Sequence, residues 1–377
     1  MQTLQLEQQK PAATRQAPPR RTRRALHAHA RAAVLGGLIL FVAAQVGMRA
    51  WIENSRPEMR DPGFEIKYRQ LKELLDRSAE TPALVVFTGS SMTAHGMKAD
   101  MVDAPLSDVL KRPAIGFNLG TSAAGPFTQM MYYRRLLRRG VRPDLAVVEL
   151  SPLLYDFPDA PSDIGRFPAY VLDRHDLEIV ERYAAQPDLR EEWWQSYLVP
   201  VYAHRLAVLN QTAPNFVPFA DRLELWHDMD EHGWRKLRDR NPAARAETLK
   251  AMKQAFHNRF QTYQVGEPPV KALRELIDLL KSEKIPTILV LMPEGPLMHS
   301  SQVPERLAPL LAEFRAISES SGFPLIDART WCGEEHFSDS AHLYADGAEI
   351  LTGRLLREVI LPRQQRSAQG AIAASRR

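Results

Sequence analysis

Five short apolar runs, each set apart by helical or polar sequence, limit this chain to one class of fold. They are residues 83–89 (ALVVFTG), 114–120 (AIGFNLG), 145–151 (LAVVELS), 286–293 (PTILVLMP) and 323–327 (FPLID). A run of this length without polar alternation is a strand buried on both faces. Helical spacing accompanies the last strands. Val270, Leu273, Leu276, Ile277 and Leu280 share one face, as do Leu307, Leu310, Leu311, Phe314 and Ile317. A terminal helix is expected near Asp346, with Glu349 three residues on completing a capping box. Continuous apolar strands alternating with amphipathic helices predict an α/β fold, a parallel sheet covered on both faces.

The rhythm breaks between the third and fourth strands. Residues 155–265 hold Trp193, Trp194, Trp226 and Trp234 and many charges, without a convincing strand. They are expected to be a mostly helical insertion. Residues 53–82 read as a polar stalk, 83–361 as the main domain, and 362–377 as a loose tail.

Charge is unevenly placed. Residues 1–31 carry Lys10, Arg15, Arg20, Arg21, Arg23, Arg24 and Arg31 against Glu7. Of the formal net charge of +4, the remaining residues therefore carry −2. The body is not a nucleic-acid-binding surface by charge. The leader is expected to be a disordered basic tail. Residues 32–48 (AAVLGGLILFVAAQVGM) then hold no charge, and Trp51 and Ile52 lie beyond Arg49. Extended to 32–52 the stretch is long enough for a transmembrane anchor, with Arg49 snorkelling and Trp51 at the interface. Arginines cluster before it and not immediately beyond it in comparable density, which is expected to place the N-terminus in the cytoplasm and the remaining chain outside, in the periplasm or at the cell surface. A cleaved signal peptide ending near Val42-Ala43-Ala44 is a competing reading, disfavoured by the long leader. A buried core helix would have to hide a surface apolar all round. The single cysteine, Cys332, excludes an internal disulfide and a cysteine-rich metal site.

In an open parallel sheet, ligands bind at the carboxyl ends of the strands. The first strand runs into Gly89-Ser90-Ser91-Met92-Thr93, a serine at a strand-to-helix turn. A helix N-terminus there carries partial positive charge suited to a developing oxyanion. The second strand ends in Asn118-Leu119-Gly120-Thr121-Ser122-Ala123-Ala124-Gly125, small enough for backbone N–H groups to approach a ligand. Beyond the fifth strand comes Asp339-Ser340-Ala341-His342-Leu343. Asp and His three apart can share a hydrogen bond that fixes the imidazole tautomer. Each motif alone is ordinary turn chemistry, but the fold brings them to one edge.

The order Gly-x-Ser-x-Thr, a Gly-rich turn, then Asp-x-x-His-Leu resembles the SGNH (GDSL) hydrolase superfamily, over roughly 83–154 and 270–361. The resemblance implies a flavodoxin-like three-layer α/β/α sandwich and a Ser-His-Asp triad. By motif, Ser91 matches the nucleophile, His342 the base and Asp339 its orienting partner, while Ser90 stands where the eponymous motif has Asp. The third block, Gly-x-Asn-Asp, is replaced by Glu149-Leu150-Ser151-Pro152, so the asparagine oxyanion donor is missing. Backbone N–H groups of Ser91, Gly120, Ala123 and Gly125 are the candidate donors. With the anchor and the insertion, the chain is similar to the membrane-anchored branch that includes the teichoic-acid D-alanine-transfer protein and the alginate O-acetylation proteins. That similarity implies an esterase or O-acyltransferase acting on envelope or exported polysaccharide, beside a membrane-bound acyltransferase, with no cofactor.

Two rivals belong to other classes. The missing asparagine fits a catalytically degenerate scaffold or polysaccharide-binding subunit, whose tryptophans would stack on sugar rings. A metal site is conceivable from His336, Asp339 and His342, or from His227, Asp228, Asp230 and His232. Acidic residues beside histidines are commoner as surface decoration, and no metal is expected.

Overall fold

The computed structural model describes residues 20–156, 163–183, 187–217, 228–238, 241–366 and 369. Five strands form one sheet: β1 (Ala83–Thr88), β2 (Ala114–Asn118), β3 (Leu145–Leu150), β4 (Thr287–Leu291) and β5 (Leu325–Asp327). Their order is β2-β1-β3-β4-β5, and every pairing is parallel. This is the flavodoxin-like doubly wound order, whose direction reverses beside β1. Every residue of β1 to β4 is buried, as runs without alternation require. The edge strand β5 is shorter than expected and half-exposed.

Among the described residues, fourteen α-helices are named in chain order. They are α1 (Arg20–Ser55), α2 (Pro62–Arg77), α3 (Ser91–Gly96), α4 (Asp103–Leu110), α5 (Pro126–Arg138), α6 (Arg174–Val180) and α7 (Leu189–Leu198). The rest are α8 (Pro200–Ala203), α9 (Arg205–Thr212), α10 (Pro242–Gln261), α11 (Glu267–Ser282), α12 (Pro296–Ser300), α13 (Pro304–Ser321) and α14 (Ala345–Leu355). Alternate strand residues point to opposite faces, and two apolar layers result. On one, Leu84, Val86 and Val148 pack with Phe64 and Leu71 of α2, Met130 and Tyr133 of α5, Leu273 and Leu276 of α11, and Phe314 of α13. On the other, Val85, Phe87 and Val147 pack with Met92 of α3, Leu106 of α4, and Leu351 and Leu355 of α14. Between β3 and α11 the described residues are helices and short turns. The lone β-bridge there, Asp156 to Val265, closes the insertion at its base.

Four expectations need correction. Residues 362–366 of the expected loose tail continue the terminal helix. Residues 53–82 are not a stalk, because α2 packs on the sheet with Phe64, Ile66 and Leu71 buried. Phe64, Tyr68, Leu71 and Leu75 form an i, i+4, i+7, i+11 stripe that the surrounding charges mask in composition. Helix α1 begins at Arg20, so residues 20–31 of the expected disordered tail are helical, and residues 1–19 lie outside the described residues. Extending an existing helix costs far less than nucleating one, and Ala, Arg and Leu are good formers. The capping box does not form: Tyr344 is the N-cap residue of α14 with no side-chain cap, and Glu349 instead pairs with Lys98 at 2.8 Å.

Residues 27–55 of α1 are long and apolar enough to cross a membrane, with mean hydropathy 1.7 and only 6% of the apolar window buried. That exposure removes the buried-core-helix reading. Near the sheet, the fold depends on an unusual lysine. Lys67 of α2 is buried, and its Nζ donates to the carbonyls of Asn118 and Gly233, both at 2.8 Å. It thereby ties α2 to the end of β2 and to segment 228–238. A neutral amine has two hydrogens for these two acceptors, and burial lowers its pKa to about 7.

A stability window follows. Between about pH 7 and the ordinary value of 10.5, the unfolded chain holds a proton on this amine that the folded chain lacks. Stability therefore rises with pH across that window, and no gain from this group is expected below it. Thermal unfolding of the detergent-solubilised chain at several pH values should show this rise in the wild type. Lys67→Met should show a smaller one, and equal slopes would contradict a neutral Lys67.

Candidate active site

The strand ends place three expected residues together. Ser91 opens α3 directly after β1, and its Oγ lies 2.7 Å from Nε2 of His342. The other ring nitrogen, Nδ1, lies 2.8 Å from Oδ2 of Asp339. Asp339 is buried, whereas Ser91 and His342 are half-buried and reachable from outside. With Nδ1–H donating to the carboxylate, Nε2 faces Ser91 with its lone pair.

The Asp-x-x-His spacing has a local cause. Oδ1 of Asp339 accepts from the N–H groups of Ala341 (3.1 Å) and His342 (2.9 Å), which folds the tetrapeptide into a turn. Oδ2 is then left for the ring. Ser340 takes a left-handed φ of +69° at the bend. It is held by its Oγ donating to Glu334 (3.0 Å) and accepting from the Met298 N–H (3.1 Å). A bridge between Phe337 and Leu343 closes the base of the loop. Burial pushes the Asp339 carboxyl up, but the His342 ring and the two backbone N–H groups outweigh it and hold the acid below its ordinary value. It therefore stays a carboxylate beside the ring at neutral pH.

Beneath Ser91 lies Glu149, next to last in β3 and buried. Its Oε1 accepts from Ser90 Oγ at 2.5 Å. Its Oε2 accepts from the Ser90 N–H (2.9 Å), the Thr93 N–H (3.0 Å) and Thr93 Oγ1 (2.5 Å). One side chain thus receives two N–H groups and two hydroxyls from the turn that carries Ser91. Burial pushes the Glu149 carboxyl above its ordinary value against the pull of those four bonds. Gly89 is required here, because a Cβ would stand 2.2 Å from Oε2 of Glu149.

The expected oxyanion donors fare differently. The Ser91 N–H, at the first position of α3, has no acceptor within its own helix. Gly120 N–H donates to Asn118 Oδ1 at 2.8 Å, and Gly125 N–H to Asp163 Oδ1 at 2.9 Å. Neither of these two stands free. Asn118 is itself fully buried, its Nδ2 donating to the carbonyls of Thr93 (2.8 Å) and Met97 (2.7 Å). Ala123 is exposed with φ +53°, in a turn closed by the Ala124 N–H on the Thr121 carbonyl at 3.1 Å. The turn is braced by Arg166, whose guanidinium donates to the Ser122 carbonyl.

His95 escaped the sequence reading, although it lies four residues after Ser91, on the same helix face. Its ring meets that of His342 edge-on at 5.7 Å. Nδ1 donates to the Arg235 carbonyl at 2.7 Å. Burial lowers its pKa to about 4, so it is a neutral wall beside His342 at physiological pH. Arg235 belongs to segment 228–238, which docks on α3 through Trp234 Nε1 to the His95 carbonyl (2.7 Å) and Arg235 N–H to the Ala94 carbonyl (2.9 Å).

The metal rivals do not assemble. Among the described residues, no three His, Cys, Asp or Glu side chains are placed to hold an ion. His336 pairs with Asp346 at 2.7 Å, and His232 with Asp103 at 2.9 Å. His227 lies outside the described residues. Of the tryptophans, Trp193 and Trp234 are buried and Trp194 is exposed, while Trp226 lies outside the described residues.

No family model matches the chain, and no curated protein matches it in sequence. Among solved structures, it is similar to a catalytic mutant of Axe2, an acetylxylan esterase from Geobacillus stearothermophilus. The TM-score is 0.33 at 12% identity, covering 73% of this chain and 93% of that one. A carbohydrate acetylesterase family member from Sinorhizobium meliloti gives 0.31 at 13% identity, covering 75% and 98%. LAE5, an alpha/beta hydrolase enzyme from the metagenome of Lake Arreo, Spain, gives 0.27 at 10% identity, covering 73% and 93%. Likenesses this remote carry no argument about activity.

Glu149→Gln tests the support of Ser91. The amide would aim hydrogens at donors, leaving buried groups unsatisfied at a cost of about 1–3 kcal/mol. A lower unfolding temperature together with slower ester turnover is expected. An unchanged turnover would remove Glu149 from any role in placing Ser91.

Proposed function

We propose that this protein is a membrane-anchored, extracytoplasmic serine esterase or O-acyltransferase acting on acyl groups of cell-envelope or exported polysaccharide. The observation that carries the chemistry is the relay from Ser91 Oγ to His342 (2.7 Å) and from His342 to Asp339 (2.8 Å) at the carboxyl edge of the sheet. The location rests on α1 and the basic residues that precede its apolar part. The polysaccharide rests on the motif resemblance together with that location.

In this mechanism His342 Nε2 takes the hydroxyl proton as Ser91 Oγ attacks the acyl carbon. Asp339 supports the imidazolium, and neutral His95 adds no like charge beside it. The Ser91 N–H faces the developing oxyanion. His342 then returns the proton to the departing alkoxide, leaving an acyl ester on Ser91. Water, or a sugar hydroxyl, gives its proton to His342 and attacks that ester, which frees Ser91 and yields either acid or acylated sugar.

One observation favours a second reading, a degenerate scaffold or polysaccharide-binding subunit. The third-block asparagine is absent, and the Gly120 and Gly125 N–H groups are occupied. Losing one oxyanion donor costs roughly 10²–10³ in rate, which slows catalysis without abolishing it.

Turnover of a small acetyl ester separates the readings. Ser91→Ala should lower it by roughly 10⁴-fold or more, and Asp339→Asn should leave a measurable residue. Wild-type rates in Ser91→Ala would refute the nucleophile. No turnover of esters or thioesters by the wild type would put the scaffold ahead. Acyl groups appearing on an added polysaccharide, read by mass spectrometry, would select the transferase. A reporter fused after residue 60 should be active only outside the cytoplasm, and cytoplasmic activity would refute the orientation.

A further inference from the structure

Helices α7 to α9 and the turn after them carry an apolar surface that no other described residue covers. Leu198 is 61% exposed, Tyr202 66% and Phe216 80%, with Trp194, Tyr197 and Leu206 also exposed. In α9 no residue is buried, although Leu206, Val208 and Leu209 fall within its eight residues. An apolar helix this short is not stable alone in water and takes its stability from an apolar environment. Exposed apolar side chains gathered on neighbouring helices mark a binding surface.

The position of the patch says what that environment is. The first turn of α8 is fixed to α1: the Val201 N–H donates to Gln45 Oε1 at 3.2 Å. One turn further along α1, the Arg49 guanidinium lies 3.0 Å from the centroid of the Tyr197 ring. Gln45 is three residues inside the apolar run 32–48, about 5 Å below its end at 1.5 Å per residue. Where α1 spans a bilayer, the start of α8 therefore sits below the level at which the apolar run ends. Arg205, stacked 4.0 Å over Tyr202, places a cation beside an aromatic ring, as suits the headgroup layer.

We propose that α7, α8 and α9 form an interfacial platform that lies in the outer headgroup layer of the bilayer that α1 spans. Trp194, Tyr197, Leu198, Tyr202 and Leu206 enter the acyl boundary. The inference rests on the anchor reading of α1 and adds to it a second attachment. A single helix leaves a domain free to swing, whereas two contacts fix the height and tilt of the catalytic edge above the membrane. An amphipathic surface joined to a spanning helix gains apolar burial without a separate cost of recruitment.

Depth-dependent quenching tests this in the full chain. Leu198→Cys, Leu206→Cys, Leu40→Cys and Ser300→Cys, each in a Cys332→Ala background, are labelled with an environment-sensitive fluorophore. They are reconstituted into phosphatidylcholine/phosphatidylglycerol vesicles holding shallow or deep nitroxide lipids. Labels at 198 and 206 should shift to the blue and be quenched best by the shallow nitroxide. The label at 40, in the middle of α1, should be quenched by the deep one, and the label at 300, on exposed α12, by neither. If 40 is quenched while 198 and 206 behave like 300, the platform is refuted and the anchor stands. If 40 is not quenched, the anchor itself fails. Shielding of 198 and 206 in native membranes but not in protein-free vesicles would assign the surface to a protein partner and overturn the lipid proposal.

Discussion

The carboxylate of Glu149 connects the sheet to the chemistry. It sits at the end of the central strand β3 and gathers four hydrogen bonds from Ser90 and Thr93, on either side of Ser91. Strand order makes this possible, because β1 and β3 are neighbours and their carboxyl ends flank the point where the winding reverses. A buried acid is costly unless its oxygens are satisfied. The turn at Gly89-Ser90-Ser91 is thus held in one geometry by a single carboxylate. Serine at position 90 and glutamate at 149 together form the hydrogen-bonded support that a lone capping serine does not provide.

The insertion takes part in this edge as well as decorating it. Asp163 receives the N–H groups of Gly125 (2.9 Å), Phe127 (2.7 Å) and Thr128 (3.1 Å), so it caps α5 and fixes the turn after β2. Segment 228–238 covers α3 and is tied down by Lys67 on the Gly233 carbonyl and by the Asn118 N–H on the His232 carbonyl, while Asp230 folds it internally. A substitution that loosens Lys67 would reach His342 by two routes, through Gly233, Arg235 and His95, and through Asn118 and the α3 turn that carries Ser91. The same insertion carries the apolar helices that meet α1. One excursion between β3 and α11 therefore touches both the edge that carries Ser91 and helix α1.

Much of this was legible in the residues, for physical reasons. Buried parallel strands need unbroken apolar runs, so β1 to β4 stood out, while half-exposed β5 blurred at its start. Asp339 and His342 were legible because their spacing is itself the geometry: one carboxylate oxygen closes the turn and the other meets the ring. Helix α2 was misread because six apolar positions, Tyr68 among them, sit among seven charged ones and only their spacing reveals them. The fate of the Gly120 and Gly125 N–H groups was hidden because their acceptors are side chains. One is Asn118 turned inward, and the other is Asp163, 38 residues away. His95 was available from the i, i+4 rule, but a histidine on a short helix gives no sign of what it faces until segment 228–238 is placed.

Covalent trapping with a fluorophosphonate tests the nucleophile most directly. An activated serine reacts with such a probe, and one that merely caps a helix does not. Peptide mapping by mass spectrometry should find the phosphonyl adduct on Ser91 in the wild type. It should be strongly diminished in His342→Ala, which lacks the base 2.7 Å away. No adduct, or one at another serine with Ser91 unmodified, would contradict a Ser91–His342–Asp339 relay.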